Sequence, residues 1–426
     1  MTASRLSTLA DSLLGSEILR IAAEVRALAD EGREICNLTV GDFAPTEFRI
    51  PAQVEQGIVD ALRRGETNYP PSDGILALRE AVRSLYRREL GIDPALKSVI
   101  VTSGSRPGIY ATYRGLVDPG DRVVFPTPSW NNPYYVQLVG AEAIPVPCDA
   151  SSRFMPTRAV LEHAVRGARL LVLCSPQNPA GTTFTAETLG EICDLVLEEN
   201  ARRGASERPL YVMYDQVYWT LTFGDVRHVH PVQVRPAMAP YTVYIDGASK
   251  SLAATGIRVG WIVAPPDVTG PMSALVGHIG AWAPKAEQMA VASFLGDAAA
   301  FSAYRARMTA EVQARLDAMY AGLAAMRDDG LPVEVIAPEG AIYLSARFAL
   351  RGGVAPDGTT LDSDDAVRAY LLRAAGMAMV PLSAFGSTAA DGWYRLSAGA
   401  VSVSDVERML PRVRGAIEAA MRRSRS

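Results

Sequence analysis

Seven short apolar runs, at residues 98–102, 122–125, 143–146, 169–174, 210–214, 242–246 and 260–264, recur along the chain with helical stretches between several of them. Runs of this length suit strands rather than helices, and strands that alternate with helices build a sheet through βαβ crossovers. Seven of them in one block predict an α/β fold: one large, mostly parallel seven-stranded sheet flanked by helices. A helix is expected after Asp73, where Ser72 or Asp73 can cap it and Ile75, Leu78, Val82 and Leu85 fall at spacings of three and four. Helical periodicity also covers 16–31, 185–199 and 301–327. Beyond that last helix the pattern changes to strand-like runs at 333–336, 341–348 and 393–397, with helices at 363–375 and 404–421. The expected division is therefore an N-terminal arm with part of a small α/β domain (1–50), a large domain (51–305) and the rest of the small domain (306–426). The Gly-, Pro- and Asp-rich stretch 351–363 reads as a surface loop. The chain shows neither an internal repeat nor a low-complexity segment.

With 426 residues, 49% of them hydrophobic and 21% charged, the chain can bury a large core, as a soluble enzyme of two or three domains would. A net charge of −4 gives no electrostatic argument for nucleic acid or an anionic membrane surface. No apolar stretch approaches the ~18 residues of a membrane span. Arg5, Asp11, Glu17 and Arg20 interrupt any signal-peptide core, so the expected location is the cytoplasm. Cys36, Cys148, Cys174 and Cys193 are scattered, as small buried hydrophobes are, and suggest no disulfide or metal framework. His228 and His230 alternate on one face with no third ligand nearby, and read as surface or structural histidines rather than metal ligands.

Lysine is nearly absent: three of the 42 basic residues are lysine, Lys97, Lys250 and Lys285, and 39 are arginine. Lys250 ends the run Asp246-Gly247-Ala248-Ser249-Lys250 after an apolar strand, and Arg258 follows eight positions on. That pattern suits a buried amine beside an anion clamp. Three other strand ends carry polar groups. Thr102-Ser103-Gly104-Ser105-Arg106 is a Gly/Ser turn opening a helix, whose unpaired N–H groups suit a phosphate. Asp215 ends the strand 210–214, where a carboxylate is costly unless a cation meets it. Asn178-Pro179-Ala180-Gly181 is a rigid turn that projects an amide. Trp130 follows another strand and can stack on a flat ring. Taken singly, each is equally an ordinary turn, cap or core residue. Jointly, a lysine, a strand-end aspartate, an Asn-Pro-x-Gly turn and an arginine meet the needs of pyridoxal phosphate: a Schiff-base amine, a partner for the ring nitrogen, and donors for ring oxygen and phosphate.

At this level the chain resembles the class I/II aminotransferases of the aspartate aminotransferase fold (fold type I), with matching motifs from Gly41 to Arg395. The resemblance implies that Lys250 is the Schiff-base lysine and proton shuttle, that Asp215 pairs with the pyridine nitrogen, and that Asn178 and Tyr218 bond the ring oxygen. It likewise implies Ser105, Arg106 and Arg258 at the phosphate and Trp130 stacked on the ring. Tyr69, in Asn68-Tyr69-Pro70, would reach the partner's phosphate in a homodimer. Arg395 would grip the substrate α-carboxylate, beside Gly41 and Asn178. Two positions depart from the pattern. Gly247 stands where many relatives carry a Ser or Thr that bonds the phosphate. Acid-specific relatives supply a second arginine from the segment matching 276–285, yet here the stretch 259–304 offers only His278, near that position, and Lys285. The implied activity is amino transfer between an α-amino acid and a 2-oxo acid. The alternative is pyridoxal phosphate-dependent β/γ-elimination, replacement or cyclisation on an amino acid such as S-adenosylmethionine.

Overall fold

The computed structural model describes residues 5–13, 15, 17–388 and 392–424. A two-residue strand β1 (Cys36–Asn37) precedes the seven strands of the main sheet: β2 (Val99–Thr102), β3 (Arg122–Thr127), β4 (Glu142–Pro147), β5 (Ala168–Cys174), β6 (Tyr211–Asp215), β7 (Thr242–Gly247) and β8 (Gly260–Val263). Their order is β2-β8-β7-β6-β5-β3-β4. Only β8 runs against its neighbours β2 and β7; the other pairings are parallel. Each strand lies on an expected run. The central strands are buried along most of their length, as unbroken apolar runs such as Leu170–Leu173 require when helices cover both faces. β4 shows the opposite character: it is the edge strand, largely exposed, and carries Pro145 and Pro147, which a central strand could not accommodate.

Five further strands follow among the described residues: β9 (Val333–Val335), β10 (Tyr343–Phe348), β11 (Met377–Ala378), β12 (Val380–Pro381) and β13 (Trp393–Ser397). β12-β13-β10-β9 form an antiparallel sheet, while β11 pairs in parallel with β1. A second apolar cluster joins the two chain ends: Ile21 and Val25 of the helix Glu17–Asp30 pack with Leu372, Val380, Leu382 and Trp393. The helix Ala298–Asp328 links the two regions over 31 residues, about 46 Å at 1.5 Å per residue. Asp297 caps it, accepting from the Ala300 N–H at 2.9 Å, and its buried residues from Phe301 to Met326 recur every three or four positions.

The cap expected at Ser72 or Asp73 is corrected. The helix Leu76–Leu85 has no side-chain cap of its own. Asp73 is drawn instead into an ion pair with Arg79, and the Ile75 N–H is satisfied from another helix by Gln288 Oε1 at 2.9 Å. His228 and His230 are not surface groups. Both belong to an inward-facing polar network, where His230 Nδ1 meets the Tyr244 hydroxyl at 3.0 Å and His228 Nε2 meets Gln216 Oε1 at 3.2 Å, and burial lowers the proton affinity of each. No helix among the described residues is long and apolar enough to cross a membrane.

Candidate active site

The C-terminal ends of β2, β3, β5, β6 and β7 lie along one edge of the sheet, where unpaired main-chain groups and helix starts converge. A cavity of about 1010 Å³ opens there, and Ser105, Trp130, Asn178, Asp215, Lys250 and Arg258 all line it. Arg395, from β13, closes the far wall.

Asp215 is the last residue of β6, where the apolar run stops and the side chain turns into the cavity. Burial raises its carboxyl to about 6, against the opposing effects of the Val217 N–H, 3.2 Å from Oδ1, and of Lys250. No ion pair joins Asp215 among the described residues. A desolvated carboxylate without a cation is an unfavourable arrangement that a protonated ring nitrogen would relieve.

Lys250 sits in the single helical turn Ala248–Ser251 after β7. Its Nζ donates to the Gly41 carbonyl at 2.6 Å and lies 5.7 Å from the Tyr218 ring centre. Burial lowers its pKa to about 8; Asp42 opposes the shift, while Arg395 and Arg106 add to it. The other two lysines lie elsewhere: Lys97 is exposed, and Lys285 is bound to Glu66 at 2.7 Å and Asn68 at 2.8 Å.

At the opposite end, the helix Ser105–Leu116 starts after Gly104, whose φ of 78° favours glycine. A side-chain carbon at Gly104 would also collide with the Arg258 guanidinium. Arg258 donates to the carbonyls of Thr255 (2.7 Å) and Ser103 (2.9 Å), with no acid paired to it among the described residues. Gly247 is explained by packing. A Cβ there would lie 2.8 Å from Gly260 Cα, 3.0 Å from the Val259 carbonyl oxygen and 3.3 Å from Ser105 Oγ. β8 and the Ser105 hydroxyl therefore occupy the space a larger residue would need. Ser249, beside the lysine, also lines the cavity and was not singled out from the sequence.

Arg395 is buried, donating to Thr39 O at 2.7 Å and to Asn178 Oδ1 at 3.2 Å, while its Nε has no partner among the described residues. Its guanidinium lies between the rings of Tyr343 (4.7 Å) and Phe385 (4.8 Å). Neither ring was foreseen as a site residue. Tyr343 falls in a run that reads only as a strand, and Phe385 comes from a short 3-10 turn with no distinguishing pattern. Tyr218 is held by the Tyr343 hydroxyl at 2.7 Å, and the Arg106 guanidinium rests 4.4 Å from the centre of the Trp130 ring. Tyr69 and His278 do not line this cavity. Tyr69 is 81% exposed, edge-on to Trp282 at 5.4 Å, and His278 is exposed at the end of the helix Pro266–His278.

The family model for aminotransferase class I and II matches residues 33–413. The chain belongs to this family. The aspartate aminotransferase of Rhizobium meliloti strain 1021 is 31% identical over 419 residues, covering 98% of this chain and 96% of that protein. A crystal structure of the aspartate aminotransferase from Rhizobium meliloti superimposes with a TM-score of 0.88 at 29% identity, over 98% of this chain and 100% of that one. An aromatic aminotransferase from Pyrococcus horikoshii OT3 superimposes at 0.79 with 26% identity, over 92% and 98%. The class I/II aminotransferase is thus a pyridoxal 5′-phosphate-dependent enzyme that moves an amino group between an amino acid and a 2-oxo acid. The elimination or cyclisation alternative is not favoured by these relatives.

Proposed function

We propose that Asp215, Lys250, Asn178, Tyr218, Ser105 and Arg258 hold pyridoxal 5′-phosphate in this cavity, and that Arg395 binds the α-carboxylate of the amino acid. The observation that carries the reading is a pair of charged groups in one cavity that form no ion pair among the described residues: the Asp215 carboxylate and the buried Arg395 guanidinium. Bound there, the cofactor would supply an aldehyde for a primary amine and a pyridine ring that accepts the electron pair left when the α-proton departs. Asp215 would keep the ring nitrogen protonated. Burial brings the Lys250 amine down to about 8, closer to physiological pH than an ordinary lysine, which eases loss of its proton; once deprotonated, its Nζ can take the proton from the substrate α-carbon. Asn178 and Tyr218 would orient the ring oxygen, and Trp130 would cover the ring face. The N–H groups opening the helix Ser105–Leu116, with Ser105 and Arg258, would receive the phosphate.

A second reading concerns the substrate side chain, and Arg106 favours it. Arg106 lies outside the stretch 259–304, which offers only His278 and Lys285 as cations. It lines the cavity over Trp130, with no acidic partner among the described residues. Relatives named aspartate aminotransferases make an acidic substrate a natural candidate. Arg106→Gln is expected to lower kcat/KM for aspartate by roughly 10- to 100-fold, the worth of a charge-assisted bond, while changing alanine and phenylalanine much less. An equal loss for every amino acid assigns Arg106 to the phosphate instead. In the same panel Arg395→Lys should impair every substrate, because an ammonium cannot reproduce a bidentate fork.

We also propose a cytoplasmic homodimer in which Tyr69 acts on the partner's phosphate. Tyr69, Leu62, Leu76 and Ile279 are exposed large hydrophobic groups, as an uncovered interface would leave them. Sedimentation should give a dimer, and Tyr69→Phe should weaken cofactor retention. A fully active monomer would remove both claims.

A further inference from the structure

The segment 39–43 has no regular secondary structure, yet both of the groups assigned above to substrate chemistry lean on it. The Thr39 carbonyl accepts from Arg395 at 2.7 Å, and two residues later the Gly41 carbonyl accepts from Lys250 at 2.6 Å. What holds these carbonyls in place is the next side chain. Asp42 Oδ1 accepts from the Phe43 N–H at 2.7 Å and from the Thr255 hydroxyl at 2.6 Å. Thr255 lies in the loop after Lys250, and its own carbonyl accepts from Arg258. From the other side, Gly399 packs so closely on the Asp42 carbonyl that a side chain at 399 would strike it.

We propose that Asp42 is a positioning residue for Lys250: locked to Thr255 and the Phe43 N–H, it fixes the Gly41 carbonyl against the amine and turns a negative charge toward it. The groups facing Lys250 in the cavity are the acids Asp42 and Asp215, the cations Arg106 and Arg395, and the Tyr218 phenol. Asp42 is the strongest of the opposite charges acting on the amine, ahead of Asp215. Without it, burial and the two arginines would act on the amine with less opposition. The kinetic part of the test rests on the function proposed above; the labelling part does not.

The full-length chain, freed of cofactor, is acetylated with trace acetic anhydride across a range of pH, and the three lysines are followed by peptide mass spectrometry. Asp42→Asn keeps an oxygen acceptor for Thr255 and Phe43 but removes the charge. The labelling midpoint of Lys250 should fall by roughly one pH unit, with the exposed Lys97 unmoved. Thr255→Val keeps the charge but frees it; the midpoint should fall by less. In the loaded enzyme this variant should lower kcat by about fivefold, as one lost hydrogen bond would, with KM for amino acids and melting temperature nearly unchanged. An unmoved Lys250 midpoint in folded Asp42→Asn, or an equal shift at Lys97, overturns the proposal. A wild-type chain that shows the labelling behaviour but takes up no pyridoxal phosphate would overturn the cofactor assignment instead.

Discussion

Lys250→Ala is expected to leave a folded chain that binds pyridoxal phosphate without a covalent bond and turns over more slowly by a factor on the order of 10³. The reason lies in the cavity. Among the described residues Lys250 is the only lysine lining it, and its amine is already brought to about 8 by burial, whereas Lys285 is committed to Glu66 and Asn68. No other lysine among the described residues stands ready to take its place. The check is borohydride reduction of the loaded chain followed by peptide mapping. Wild type should carry the reduced cofactor on Lys250 and the variant on no lysine. Reduced cofactor on Lys97 or Lys285 of the variant would move the attachment point and sink the assignment.

The second large effect concerns Asp215. Asp215→Asn should still bind cofactor but lose activity by roughly 10²- to 10³-fold, the scale for removing one fixed electrostatic partner, since the ring nitrogen would no longer be held protonated. A stability effect of opposite sign should accompany it. The Asp215 carboxyl is raised to about 6, above its ordinary value near 4. The folded chain without cofactor therefore binds a proton more tightly than the unfolded chain, so its stability falls as pH rises from about 4 through 6. Cofactor-free Asp215→Asn should melt higher than wild type at pH 8 and show little difference near pH 4. Calorimetry at the two pH values checks this. A variant that melts lower at both would mean that the carboxylate is satisfied within the protein.

The large sheet was legible because its strands are buried on both faces: Leu170–Leu173 and Val212–Tyr214 are apolar without interruption, and each stops where the cavity begins, at Cys174 and Asp215. The cavity residues were legible for the same reason, since Asn178, Asp215 and Lys250 stand at strand ends that the sheet order then makes neighbours. Several helices left no such trace. Lys285–Gly296 buries Ala286, Gln288, Val291, Phe294 and Leu295 on several sides and so lacks one apolar stripe, and Pro266–His278 carries an internal Pro271. The cap of the helix Leu76–Leu85 was misplaced because its acceptor, Gln288, lies more than two hundred residues away in sequence. Tyr343 and Phe385 escaped notice on similar grounds. They become site residues only when β13 carries Arg395 between them, and no local pattern records that.

The most direct test of amino transfer is a single half-reaction. The loaded enzyme is mixed with one amino acid in the absence of any 2-oxo acid acceptor, and both the small-molecule product and the released cofactor are identified by mass spectrometry. The expected result is one equivalent of the matching 2-oxo acid and cofactor recovered in its amine form. Free ammonia, or a product that has lost or exchanged its side-chain substituent while the cofactor returns as the aldehyde, would contradict the account.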